Sequence, residues 1–270
     1  MMKRAIDDLL LFLLVVLLMA VAVFLFFPLL IAISMAFDAR SYLGNFPPPA
    51  FSLRWFDRFF HEPFYMHGLQ TSLIVAATST LISSSLGVTA AVVLSRADFF
   101  GKQAVTALFL SPLVVPSVVI GFSLLLFFAK LQIFGGFLAL LCGHVIITIP
   151  YTIRVSLAGL LAVPKSVREA SLVLGANEWR TFWQVSFPLA RSNILAASIF
   201  AFVFSMDDVA VSLFLSSVNT YTLPVAMVGM MRSDFDLSIA AAAVFLMVTM
   251  SILMLIVERL MGVNKIFAAG

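Results

Sequence analysis

Residues 9–37 read LLLFLLVVLLMAVAVFLFFPLLIAISMAF, an unbroken run without one charged side chain. An α-helix rises 1.5 Å per residue, so about 20 apolar residues cross the hydrocarbon layer of a bilayer. A cleaved secretory leader would have an apolar region of roughly 7–15 residues and a small-residue cleavage site. This run is much longer and has no clear site of that kind. It reads as a retained membrane span, preceded by Lys3 and Arg4.

The pattern repeats along the chain. Further apolar runs cover about 69–95, 104–129, 137–163, 194–215 and 239–257, which makes six expected spanning helices in one transmembrane domain over residues 1–270. Pro112 and Pro116 lie four residues apart in the third run and predict a kink whose freed carbonyls are satisfied by neighbouring protein. Between spans one and two, Pro47-Pro48-Pro49 and the cluster Trp55, Phe56, Phe59 and Phe60 suit an interfacial aromatic belt. The segment 164–191 is the only long amphipathic, charge-bearing stretch between spans, and 216–238 reads as a polar link.

Composition supports the same class. The chain has 270 residues, 63% hydrophobic and 11% charged, whereas a soluble domain has about 25% charged residues. Sixteen basic and thirteen acidic side chains cannot cover a water-facing surface of this size. Disorder, a secreted disulfide scaffold and a soluble enzyme are excluded as classes. Cys142 is the single cysteine and has no intrachain partner. The net charge of +3 arises from basic residues scattered in short connectors, so nucleic acid is not an expected partner.

Those basic residues set an orientation. With both termini on one side, that side holds Lys3, Arg4, Arg96, Lys102, Arg154, Lys165, Arg168, Arg180, Arg191, Arg259 and Lys265. The other side holds Arg40, Arg54, Arg58, Lys130 and Arg232. The bias predicts cytoplasmic termini and a cytoplasmic 164–191 segment.

Two further features carry chemistry. Asp207 and Asp208 fall inside the fifth run, where a carboxylate costs about 2.5–3.5 kcal/mol unless it faces protein or a water-filled path. On an unbroken helix, Ser198, Ser205, Asp208, Ser212 and Ser216 form one polar stripe, and Asp207 shares a mostly apolar face with Phe200, Phe204 and Val211. That geometry predicts that Asp208, with Ser205 and Ser212, lines a substrate path, and that Asp207 meets a neighbouring helix or subunit. His144 stands alone in span four and reads as a hydrogen-bonded packing residue. His61 and His67 lack the companions of a metal site, so no metal ligand is expected. The hydroxyl-rich middle of span two, from Thr78 to Gly87, reads as close helix packing by small residues.

In the 164–191 segment, Glu169-Ala170-Ser171 is followed after three residues by Gly175 and after nine more by Val185-Ser186-Phe187-Pro188. This spacing resembles the EAA loop of ABC-importer permeases, with Ser171, Val185 and Phe187 as departures from its pattern. Val167, Ala170, Ser171 and Leu174 share one helical face. Gly175 is placed to end the first helix, and Asn177 to cap a second short one. No G-x-x-x-x-G-K-[ST] loop is present, so the chain has no phosphate cradle of its own.

The string Ser205-Met206-Asp207-Asp208-Val209-Ala210-Val211-Ser212 is similar to the matching segment of PotC-type permeases of spermidine/putrescine importers. The resemblance extends over most of the chain through Leu53-Arg54-Trp55-Phe56, Ser111-Pro112-Leu113-Val114-Val115-Pro116, Pro150-Tyr151 and Leu223-Pro224. It implies an all-α, type I ABC-importer permease (MetI-like) in a bacterial inner membrane. It also implies that Glu169, Ala170, Ser171 and Gly175 couple the chain to a cytoplasmic ATPase dimer. Further partners so implied are a second homologous permease, a periplasmic substrate-binding protein and membrane lipid. No cofactor is expected on this chain; ATP and magnesium would be used by the ATPase. The implied cargo is a polyamine drawn past Asp207 and Asp208, with no bond made or broken. The same importer class carrying a metal cation, an opine-like compound or a phosphonate stays open. So does a proton-coupled secondary transporter, which would need no EAA-like loop.

Overall fold

The structure, a computed structural model, describes residues 2–42, 44–133, 135–233 and 235–261. In chain order the helices are α1 (Met2–Ala36), α2 (Arg54–His61), α3 (Pro63–Arg96), α4 (Lys102–Leu110), α5 (Ser117–Lys130), α6 (Phe137–Leu161), α7 (Lys165–Val173), α8 (Glu178–Thr181), α9 (Phe187–Asp207), α10 (Ala210–Leu215), α11 (Leu223–Ser233) and α12 (Ser238–Met261). Among the described residues, five helical stretches are long and apolar enough to cross a membrane, and six if the bent pair α4–α5 is one span. Lys265, counted above for orientation, lies outside the described residues.

One expectation is met and two need correction. The kink at Pro112 and Pro116 is a bend of 98° between 102–113 and 117–130, because Pro112 sits inside a 3-10 turn over Ser111–Leu113 and Pro116 occupies the cap of α5 with ψ 132°. The second short helix expected after Asn177 does not stand apart from span five, because helix runs on continuously from Glu178 to Asp207. A π-turn over Phe182–Ser186, closed by the Phe187 N–H on the Phe182 carbonyl, carries the helix past Pro188, which cannot donate to Gln184. Finally, the polar link contains a helix, α11, that the residue pattern does not announce.

The chain divides into two compact units. One comprises Met1–Glu62 with Met230–Met247. Within it, Asp38 accepts from the Arg40 guanidinium at 2.6 Å, and its carbonyl accepts the Trp55 indole N–H at 2.7 Å. Trp55 and Phe59 are buried, Phe59 against Phe245 with ring centroids 5.5 Å apart, so these two rings pack internally and are not a lipid-facing belt. Arg58 pairs with Asp236 at 2.8 Å. In α1, none of the most apolar window is buried.

The other unit comprises Pro63–Gly229 with Val248–Gly270. Here α3, α6 and α9 pack on one another, and α10 lies against α5 and α6. Small residues allow the approach. A Cβ on Gly143 of α6 would stand 2.5 Å from Leu215 Cδ1 and 2.8 Å from Val211 Cγ1, so a side chain there would force those two α10 residues to shift. Thr152 of α6 donates to the Ser83 carbonyl of α3 at 2.8 Å, and Leu140, Ile147, Val75, Val211 and Leu215 form the apolar centre.

Candidate functional site

Two places in the second unit carry the polar chemistry. The first is the elbow α7–α8. Pro164, with its fixed φ, opens α7. Gly175 closes it at φ +87°, with its N–H on the Leu172 carbonyl and the Ala176 N–H on the Ser171 carbonyl, a Schellman turn. Asn177 then accepts the Arg180 N–H at 2.8 Å and caps α8. Val167, Ala170, Ser171 and Leu174 all line one open groove of about 450 Å³, with Gly175 at its edge. Glu169 is exposed, while Val173 and Leu174 at the tip are each 87% exposed. An apolar tip on a turn closed by these three capping bonds is a preformed surface for a partner.

Glu178 holds this elbow to the end of α3. Its carboxylate accepts from Arg168 at 2.6 Å and from Arg96 at 2.9 Å, and Ser171 meets Thr181 at 3.1 Å. Motif reading passed over Glu178. The available signal was an acid in the first turn of a capped helix flanked by arginines.

The second place is a break in the fifth span. Helix α9 ends at Asp207, Asp208 adopts extended backbone, and α10 starts at Ala210. Asp208 Oδ2 accepts the Ser212 N–H at 2.9 Å and its hydroxyl at 3.2 Å, which caps the new helix. Ser205, three residues before the break, contacts Ser79, midway along the 34-residue α3, so the break lies at membrane depth. Irregular backbone at that depth must be covered by protein or line a cavity. Asp208 is covered, being 8% exposed.

The break changes which residues face outward. On the unbroken helix Asp208, Ser205 and Ser212 shared a stripe toward a path; in the structure all three are buried and bonded within the chain. Asp207 is instead the exposed member of the pair. The four residues are thus brought together, with Asp207 on the chain's surface and the other three behind it. His144 of α6 is fully buried and bonds Ser205 through Nδ1 at 2.7 Å and Ser212 through Nε2 at 2.9 Å. That is the hydrogen-bonded packing expected of it, with two partners the sequence did not name. Among the described residues no three His, Cys, Asp or Glu side chains are grouped to hold a metal ion.

Residues 83–263 match the family described as "Binding-protein-dependent transport system inner membrane component". The chain belongs to this family. The matched region contains both the elbow and the broken span. The Escherichia coli (strain K12) "Spermidine/putrescine transport system permease protein PotC" is 28% identical over 246 residues, covering 91% of this chain and 92% of that protein. The Thermococcus kodakarensis "Molybdate/tungstate transport system permease protein WtpB" is 32% identical over 149 residues, 55% of this chain and 60% of the relative. Among solved structures, a bacterial ABC transporter involved in alginate import superposes with a TM-score of 0.71 at 15% identity, over 94% of this chain and 96% of that one. A bacterial alginate ABC transporter in complex with pentasaccharide-bound periplasmic protein gives 0.68, also at 15% identity, over 94% and 93% of the respective chains. These two show a shared fold. The chain is accordingly an all-α inner-membrane permease of the ABC-importer class.

Proposed function

We propose that this permease carries polyamines inward, with Asp207 on the path. The observation that carries the reading is the exposed Asp207 carboxylate beside a helix break at membrane depth. An ionised side chain there cannot face lipid without a cost of about 2.5–3.5 kcal/mol, so its surroundings are a second subunit or an aqueous path. A fixed anion in low dielectric attracts a chain of ammonium groups and repels an oxyanion. That favours the cargo named for the spermidine/putrescine relative over the molybdate/tungstate of the other.

In this reading Asp207 meets the cargo, while Asp208, Ser205 and Ser212 hold the break from behind. The elbow at Glu169, Ala170, Ser171 and Gly175 seats in an ATPase subunit on the cytoplasmic side, where both termini also lie. One chain supplies one elbow, so an ATPase dimer requires a second, homologous permease. A periplasmic binding protein delivers the cargo, and lipid surrounds the apolar faces. ATP and magnesium act on the ATPase, and this chain is not itself an enzyme. Nucleotide then biases two states of the membrane pair.

Uptake of labelled spermidine and putrescine by cells holding the complete system tests the reading. Asp207→Asn should depress uptake at low polyamine concentration by about tenfold or more. Normal uptake by that variant would overturn it.

A further inference from the structure

The clearest unexplained feature is the imidazole that grips both sides of the break. Ser205 belongs to α9 and Ser212 to α10, and only Asp208 and Val209 connect the two helices. Those two residues have four soft backbone dihedrals. A link of that kind leaves the angle between helices to whatever ties them from outside.

The hydrogen bonds around His144 have one consistent direction. Ser212 has a single proton, and it goes to Asp208 Oδ2 at 3.2 Å. Ser212 Oγ must therefore accept from His144 Nε2–H at 2.9 Å. In the neutral ring Nδ1 is then an acceptor, and takes the Ser205 hydroxyl proton at 2.7 Å. Ser205 also lies 3.2 Å from Ser79, whose hydroxyl donates to the Ala76 carbonyl at 3.3 Å. The run Ser205, His144, Ser212, Asp208 thus has a place for every proton, and every member is buried. Apolar packing holds α10 near α6 at Gly143 and near α5 at Gly121, but it does not join α10 to α9 across the break as the His144 bonds do.

We propose that His144 is a positioning residue that clamps α9 to α10 across the break and so sets the direction of the Asp207 carboxylate. The inference rests on the reading of Asp207 as part of the cation path. Its partners make the demand specific: one acceptor and one donor on a flat group between two hydroxyls. Gln offers that pair at similar spacing, whereas Leu fills the space and offers neither.

The test uses the complete importer in inside-defined membrane vesicles. Spermidine uptake is measured for His144→Leu and His144→Gln. His144→Leu should raise KM about tenfold with Vmax per folded transporter within about twofold, and His144→Gln should recover most of that rise. Independently of cargo, Asp207→Cys in a Cys142→Ser background reports the access of that position to an aqueous maleimide. Its labelling rate should change by about fivefold or more with His144→Leu and return with His144→Gln. A wild-type KM and an unchanged labelling rate in His144→Leu would overturn the proposal, as would a His144→Gln variant no better than Leu. If labelling follows this pattern while KM does not, the clamp stands and the placement of Asp207 on the path falls. Should His144→Leu fail to insert, Ser205→Ala and Ser212→Ala each cut one arm, and both must shift the labelling rate for the clamp to stand.

Discussion

Asp208 accepts the backbone N–H of Ser212 at 2.9 Å, and this one bond turns the carboxylate into the cap of a helix. The role needs an oxygen acceptor on a short side chain, not a negative charge. Asp208→Asn should therefore insert and fold normally, since Asn caps about as well as Asp. Asp208→Ala should lose about 1–2 kcal/mol and leave the Ser212 N–H unpaired in the interior. Thermal unfolding of the purified complex would separate the two. Equal losses in both variants would show that charge, not capping, is what Asp208 supplies.

Glu178 joins two arginines from different parts of the chain, Arg96 at the end of α3 and Arg168 on α7. With the carboxylate half exposed, each pair is worth up to about 1 kcal/mol, so global stability should hardly change in Glu178→Gln. The geometry should change more than the stability: the elbow loses its tie to α3. Hydrogen exchange over residues 165–186 should speed up, and cargo-stimulated ATP hydrolysis by the complete importer should fall several-fold while the ATPase still co-purifies. Exchange equal to wild type would show that capping alone sets the elbow.

The spans were legible because length and apolarity are local. Residues 9–37, 69–95 and 137–163 appear as α1, α3 and α6 with edges shifted by a few residues. The elbow was legible for a similar reason: Gly175 and Asn177 are residues whose backbone chemistry marks a helix stop and start. The break at Asp208–Val209 was not. Its neighbours Met206 and Ala210 are good helix formers, no Gly or Pro interrupts them, and the serine stripe reinforced the unbroken reading. What competes with the helix is tertiary, namely Asp208 turned onto Ser212 and His144 on α6 holding both serines. Asp208 is therefore the buried member and Asp207 the exposed one, although the residues themselves had been singled out by their scarcity.

Gly175 sits at φ +87° with open space where a Cβ would go. The cost of a side chain there is conformational, about 1–2 kcal/mol for Ala, and less for Asn, which tolerates the left-handed region. Gly175→Ala should loosen the Schellman turn and weaken co-purification with the ATPase, and Gly175→Asn should retain most of it. If Ala and Asn were equally harmless, the turn would not be what presents Val173 and Leu174.

Acid should loosen the Asp38 turn in the first unit. The Arg40 side chain holds the Asp38 carboxyl below its ordinary value, opposed by burial and helped by the Arg40 backbone N–H. A folded value below the unfolded one means that the stabilisation is complete above about pH 4 and is lost as pH falls through the folded value. Trp55 reports it directly, because its indole N–H bonds the Asp38 carbonyl at 2.7 Å. In a Trp179→Phe, Trp183→Phe background, the remaining fluorescence should be flat from pH 7 to about 5 and should shift only in stronger acid. Asp38→Asn, which removes the titrating group, should give the shifted spectrum at every pH. A transition centred above pH 5 in the Asp38 protein would assign the turn's stability to some other group.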